Sequence, residues 1–174
     1  MKSSEIDELI EEIIDENNDR ALIILCSSII DEQLHNILNK FLIDVPEKKE
    51  DLLKGDNPLS TFSSRIKILY RLGIIDDDFK SLLNTVRSVR NDCAHKIVIN
   101  INKSPIKDHI LNIENKVKNK DSYDLVKKRF FNDPNINNSK LKSLFTTILI
   151  ILESINKVIT EITAEKKIID ICNK

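Results

Sequence analysis

The sequence predicts an all-α protein, a single helical bundle of about six to eight helices. Three observations carry that expectation. Apolar residues recur at three- and four-residue steps over long segments instead of alternating. Only two glycines, Gly55 and Gly73, occur in 174 residues, too few for the turns of a sheet protein of this size. Hydrophobic residues make up 41% and charged residues 32%, which suits one core under a well-solvated surface. The abundant isoleucine mildly favours strands, but long helical periods outweigh that bias. The length fits one domain over residues 1–174.

The elements follow in order. Ile6, Leu9, Ile10, Ile13 and Ile14 form one stripe, predicting a helix over Glu5–Glu16 capped by Ser3 or Ser4. A second helix is expected over Arg20–Leu42, capped by Asn18 or Asp19. Its first half, Ala21 to Ile30, is apolar nearly all round and predicts a central position. Ser28, Asp31, Glu32 and His35 then place a polar strip on it. A short helix is expected from Pro46 or Glu47 to Gly55, followed by a tight turn at Asp56-Asn57-Pro58. Ser60 or Thr61 should cap the next helix, with Phe62, Ile66, Leu69, Tyr70 and Leu72 facing inward and Gly73 ending it. Asp76 or Asp77 should cap a fifth, which buries Phe79, Leu82, Leu83, Val86 and Val89 and ends in Arg90-Asn91-Asp92-Cys93-Ala94-His95. Ile97–Ile101 reads as a short strand or an extended loop. Residues 103–140 form a basic, partly irregular segment with helices near Ile106–Lys118 and Tyr123–Phe131 and turns around Asp133-Pro134-Asn135. A long last helix is expected from Ser139 to about Ile169. Its apolar face (Leu141, Leu144, Phe145, Ile148, Leu152, Ile155, Ile159, Ile162) would either close the bundle or pair two protomers.

Charge and cysteine usage narrow the function classes. The formal net charge is −1, so no global field draws nucleic acid or an acidic membrane. Locally, residues 1–19 hold eight acids against Lys2, and residues 103–129 hold eight bases against four acids. Either these are solvated surfaces, or the second is a basic rim for a polyanion, with Lys116, Lys118, Lys120, Lys127, Lys128 and Arg129 as its nucleic-acid-binding candidates. Cys26, Cys93 and Cys172 are scattered and form no zinc spacing, and Cys26 reads as a small core residue. No metal, cofactor or disulfide is expected. The acidic start lacks the pattern of a signal peptide, and the longest unbroken apolar runs are too short to cross a bilayer. A cytoplasmic protein without a membrane role is the expectation.

The hexapeptide concentrates the chemistry. Asn91 and His95 share a helix face, Arg90 lies about 100° from Asn91, and Arg87 stands one turn earlier. A permanent cation, an amide and an imidazole in one patch suit phosphodiester cleavage. Histidine can take the proton of an RNA 2′-hydroxyl or protonate the departing oxygen, and arginine can stabilise phosphoryl charge. Arg90, His95 and Asn91 are therefore the catalytic candidates, with Glu32, Arg87 and Asp92 in support. One chain supplies one such histidine, so a symmetric homodimer would complete a two-histidine site. The structural alternative pairs Arg90 with Glu32 across the bundle and leaves His95 closing a helix at its negative end. His35 and His109 are weaker candidates.

Two resemblances add to this reading. Asn18-Asp19-Arg20-Ala21, Ile30-Asp31-Glu32-Gln33-Leu34 and LLKGDNPLSTFSSRIKILYRLGIID (Leu52 to Asp76) resemble the mannitol operon repressor (MltR) family, over about residues 18–95. Arg90, Asn91 and His95 resemble the R-N-x-x-x-H signature of HEPN domains, helical bundles that are often dimeric and occur in toxin–antitoxin, CRISPR and other antiviral defence systems. The HEPN resemblance implies a metal-independent endoribonuclease, a toxin or defence effector that binds RNA and has an antitoxin as protein partner. The MltR resemblance implies a transcriptional regulator acting through DNA or a protein partner. A third expectation is a non-catalytic helical interaction module. No helix-turn-helix and no strongly basic recognition helix is evident.

Overall fold

The computed structural model describes residues 3–42 and 52–165, with side chains over 5–42 and 52–159. Seven helices and no strand occur among the described residues: α1 (Ser3–Asp15), α2 (Asp19–Phe41), α3 (Phe62–Arg71), α4 (Asp77–His95), α5 (Ile106–Val117), α6 (Asp121–Phe130) and α7 (Ser139–Glu165). The expected helix between Pro46 and Gly55 falls mostly outside the described residues; Leu52–Gly55 itself is turn. The fifth expected helix is accordingly α4. Cys172, Ile162 and the end of the last expected helix also lie outside the described residues or side chains.

Local chemistry sets the helix ends. The Asn18 side chain accepts the Ala21 N–H and caps α2. Thr61 and Ser64 form a reciprocal capping box at the start of α3. Asp76 accepts the Phe79 N–H and caps α4. Gly55 and Gly73 sit at φ +61° and +70°, where a side chain would be strained. At Gly73 this lets the Ile74 N–H turn back to the Leu69 carbonyl and end α3.

Packing then joins the helices through one core. α2 meets four others, α1, α3, α4 and α7, and its contact with α7 is the most extensive in the bundle. By length and composition α2 could also cross a membrane, and half of its apolar window is buried inside the bundle. α5 lies against α4 and α7, and α6 against α7. Residues 141–149 of α7 are all buried, so its apolar face closes the bundle. One expected inward residue differs: Leu72 is 38% exposed, because α3 ends at Arg71 and Leu72 is already its C-cap. Ile97–Ile101 is loop, with Ile97 and Val98 exposed. Cys26 and Cys93 are buried, and burial pushes both thiols up.

Arg20 ties the end of α4 to the start of α2. Its Nε donates to the Cys93 carbonyl at 2.7 Å and its Nη1 to the Ile97 carbonyl at 3.4 Å, while Nη2 donates to the Lys96 carbonyl. These acceptors lie at or beyond the last turn of α4, where carbonyls lack helical partners and a cation is favoured. Arg20→Ala is expected to lose about 2 kcal/mol of stability in urea titration. Amide exchange should quicken at the end of α4 before it quickens in α7.

Candidate functional site

α2, the start of α3 and α4 enclose an open cleft of about 270 Å³. Ser27, Ser28 and Asp31 line it from α2, Ser60 to Ser63 from the start of α3, and Arg87, Arg90 and Asn91 from α4. Helical spacing explains the grouping, since Ser27 and Asp31 are one turn apart, as are Arg87 and Asn91.

The cleft is anchored by an ion pair. Arg65 Nη1 donates to Asp31 Oδ1 at 2.7 Å. The same guanidinium donates through Nε to the Leu59 carbonyl at 3.1 Å and through Nη2 to the Leu53 carbonyl at 3.0 Å. Arg65 is 8% exposed, so its fork holds the 52–60 turns against α2. Burial pushes the Asp31 carboxyl above its usual range, against the opposing pull of Arg65.

This corrects the pairing expected across the bundle. The carboxylate that α2 turns inward is Asp31, not Glu32, and the cation that reaches it is Arg65, not Arg90. Glu32 is exposed, because it lies about 100° further round α2 than Asp31. Ser28 of the expected polar strip donates to the Ile24 carbonyl of its own helix.

The structure separates the hexapeptide. Arg90 is exposed at the cleft, and its Nη1 lies 3.3 Å from Asn91 Oδ1. Arg87 is half-buried there, and its buried Nε has no hydrogen-bond partner. His95 is the last residue of α4 and is exposed outside the cleft lining. Asp92 faces α5 instead: it pairs with Lys96 at 2.9 Å and lies 3.7 Å from His109 Nε2. Arg90 and Asn91 thus share the cleft, while His95 and Asp92 lie apart from it.

The basic candidates do not converge on the cleft lining. Lys116 reaches Asp78 at 3.5 Å, and Lys118 and Lys120 are exposed beyond it. Lys127 and Arg129 lie over the rings of Tyr123 and Phe130, with Lys128 exposed between them. Among the described residues, no group of three or more His, Cys, Asp or Glu could hold a metal ion.

Sequence reasoning missed Ser27 and Arg65. Ser27 looked like one more position on an apolar helix. Arg65 is 34 residues from Asp31; its one local signal was an arginine adjoining the inward residue Ile66.

No protein-family model and no curated protein matches the chain. Solved structures do, among them the following two. A possible transcriptional regulator, YggD from Shigella flexneri, superposes with a TM-score of 0.65 at 16% identity, over 86% of this chain and 97% of that one. The MtlR chain of the MtlR-HPr complex from Escherichia coli superposes with a TM-score of 0.60 at 16% identity, over 91% of this chain and 99% of that one. The fold is MtlR-like. The MtlR-like likeness extends beyond the 18–95 stretch whose residues carried the resemblance, so the basic segment and α7 fall largely within it. At this identity it concerns the fold.

Proposed function

We propose that this protein is an MtlR-like regulator that acts through a protein partner. The observation that supports this best is the extent of the likeness, since nearly all of the MtlR that is complexed with HPr has a counterpart here. The surface is compatible with it. The basic side chains of residues 103–129 are divided between α5 and α6 and their flanks, not gathered on one recognition helix, and Ile97 and Val98 offer exposed apolar side chains, 93% and 83% accessible. HPr from the protein's own organism is the first partner to test, by calorimetric titration and by crosslinking in native extract. Saturable binding of HPr, or a stoichiometric crosslinked complex, is expected. Recovery of only the free chain in both experiments, or sequence-specific operator binding by the chain alone, rejects the proposal.

A second reading, a metal-independent endoribonuclease, has an observation of its own: Arg90 and His95 are both exposed on α4 and not taken up by the core. A single such histidine per chain makes a homodimer part of that reading. Cleavage of single-stranded RNA in EDTA, compared between wild type and His95→Ala, decides it. Equal cleavage by both, or cleavage by neither, removes it.

A further inference from the structure

The cleft between α2, α3 and α4 holds more donors than the fold uses. Arg87 Nε and Ser27 Oγ are buried without a hydrogen-bond partner, and Ser27 as a whole is 1% exposed. A buried donor left unpaired pays its full desolvation cost, so two on the wall of one open cleft call for a ligand. The N-terminus of α3 opens into the same cleft. Thr61 and Ser64 satisfy each other there, which leaves the N–H groups of Phe62 and Ser63 without helical acceptors. Both residues line the cleft, and the helix dipole favours an anion beside them.

Charge gives the same sign. Asp31 is the one acid in the lining, and Arg65 neutralises it at 2.7 Å. The remaining cations are Arg87 and Arg90: neither makes a salt bridge among the described residues, and Arg90 acts on Asp31 only through a weaker coulombic pull than that of Arg65. Two guanidinium forks, two helix-end amides and a buried hydroxyl match the several acceptor oxygens of a tetrahedral anion. A volume of about 270 Å³ lies just below the usual range of small-molecule sites.

We infer that this cleft binds a phosphoryl group, as inorganic phosphate or a small phosphate monoester, with Arg87, Arg90, Ser27 and the start of α3 as its cradle. The site stands independently of the protein-partner proposal. Either can fail without the other, because the phosphate titration uses no partner and the partner titration uses no phosphate.

Calorimetric titration of the full chain tests it, using inorganic phosphate, glycerol phosphate, acetate and a short single-stranded RNA. Phosphate and glycerol phosphate should bind saturably, and planar acetate should not. A tighter glycerol phosphate would identify a monoester as ligand, and equal affinity would identify the ion itself; both support the site. Arg87→Met should weaken phosphate binding by about ten-fold or more, and Ser27→Ala by a smaller factor. Arg87→Met should also melt at or above the wild-type temperature, since it removes an unpaired buried donor and keeps the stem; a purely structural Arg87 predicts a lower melting temperature. Arg90→Met alters an exposed side chain and should weaken binding with the fold intact, so it decides the matter if Arg87→Met fails to fold. Absence of saturable phosphate and monoester binding, or binding indifferent to both arginine variants, overturns the inference. RNA binding tighter than phosphate and lost in the same variants also overturns it, in favour of a nucleic-acid groove.

Discussion

Arg65→Ala is expected to destabilise the protein by about 3–5 kcal/mol, the usual cost of stranding one partner of a buried ion pair. The substitution removes the cation facing Asp31 and the donors for the Leu59 and Leu53 carbonyls together. Asp31 is then left partly buried beside α3 without its salt-bridge partner, with only the weaker coulombic pull of Arg90, and the 52–60 turns lose two of their ties to the bundle. Asp31→Ala should cost less, about 1–2 kcal/mol, because Arg65 keeps both carbonyls and the Asp31 side chain is already 30% exposed. Urea titration of the two variants separates these contributions. Equal losses would mean that the ion pair alone holds this corner and that the carbonyl contacts add nothing. Because the same corner forms a wall of the cleft, Arg65→Ala should also weaken any ligand bound there.

Phe145→Ala is expected to cost a similar amount, about 3–5 kcal/mol, by a different mechanism. Phe145 is fully buried in α7, the helix that makes the most extensive contact with α2. Truncation removes a large apolar side chain and leaves a cavity that helices tied on several sides cannot close. Phe145→Leu retains most of the volume and should cost under about 1.5 kcal/mol. Thermal melts of the pair test the claim. A loss for Phe145→Ala no greater than for Phe145→Leu would show that α7 shifts to fill the space, and that the α2–α7 contact is softer than its burial implies.

The helices were legible because the signals that make them are local. Asn18, Thr61 and Asp76 cap the helices they precede, and Gly73 ends α3, through bonds spanning three to five residues. The core faces of α2, α4 and α7 follow from the 3.6-residue period, so Ile30, Val86 and Phe145 could be placed inside before any packing was known. Leu72 was misplaced by one such rule, because a periodic stripe does not say where a helix stops.

The candidate site was legible only in part. Arg87, Arg90, Asn91 and His95 stand out as chemistry-bearing residues on one helix, and the structure does put them near its exposed end. What they face is another matter. His95 follows Asn91 by one turn, yet only Asn91 lines the cleft. Asp92, expected in support of Arg90, His95 and Asn91, pairs with Lys96 and lies beside His109 on α5.

By itself, then, the sequence determined an all-α chain: where its helices begin, which faces are apolar, and that cationic and imidazole groups gather at the end of α4. Only the tertiary structure decided that Asp31 meets Arg65, that Glu32 faces water, and that Ser27 and Arg87 share a cleft with the start of α3. The reason is geometric. Residues within a turn are related by the fixed pitch of one helix, whereas residues on different helices are related by crossing angles and offsets that emerge when the whole core packs.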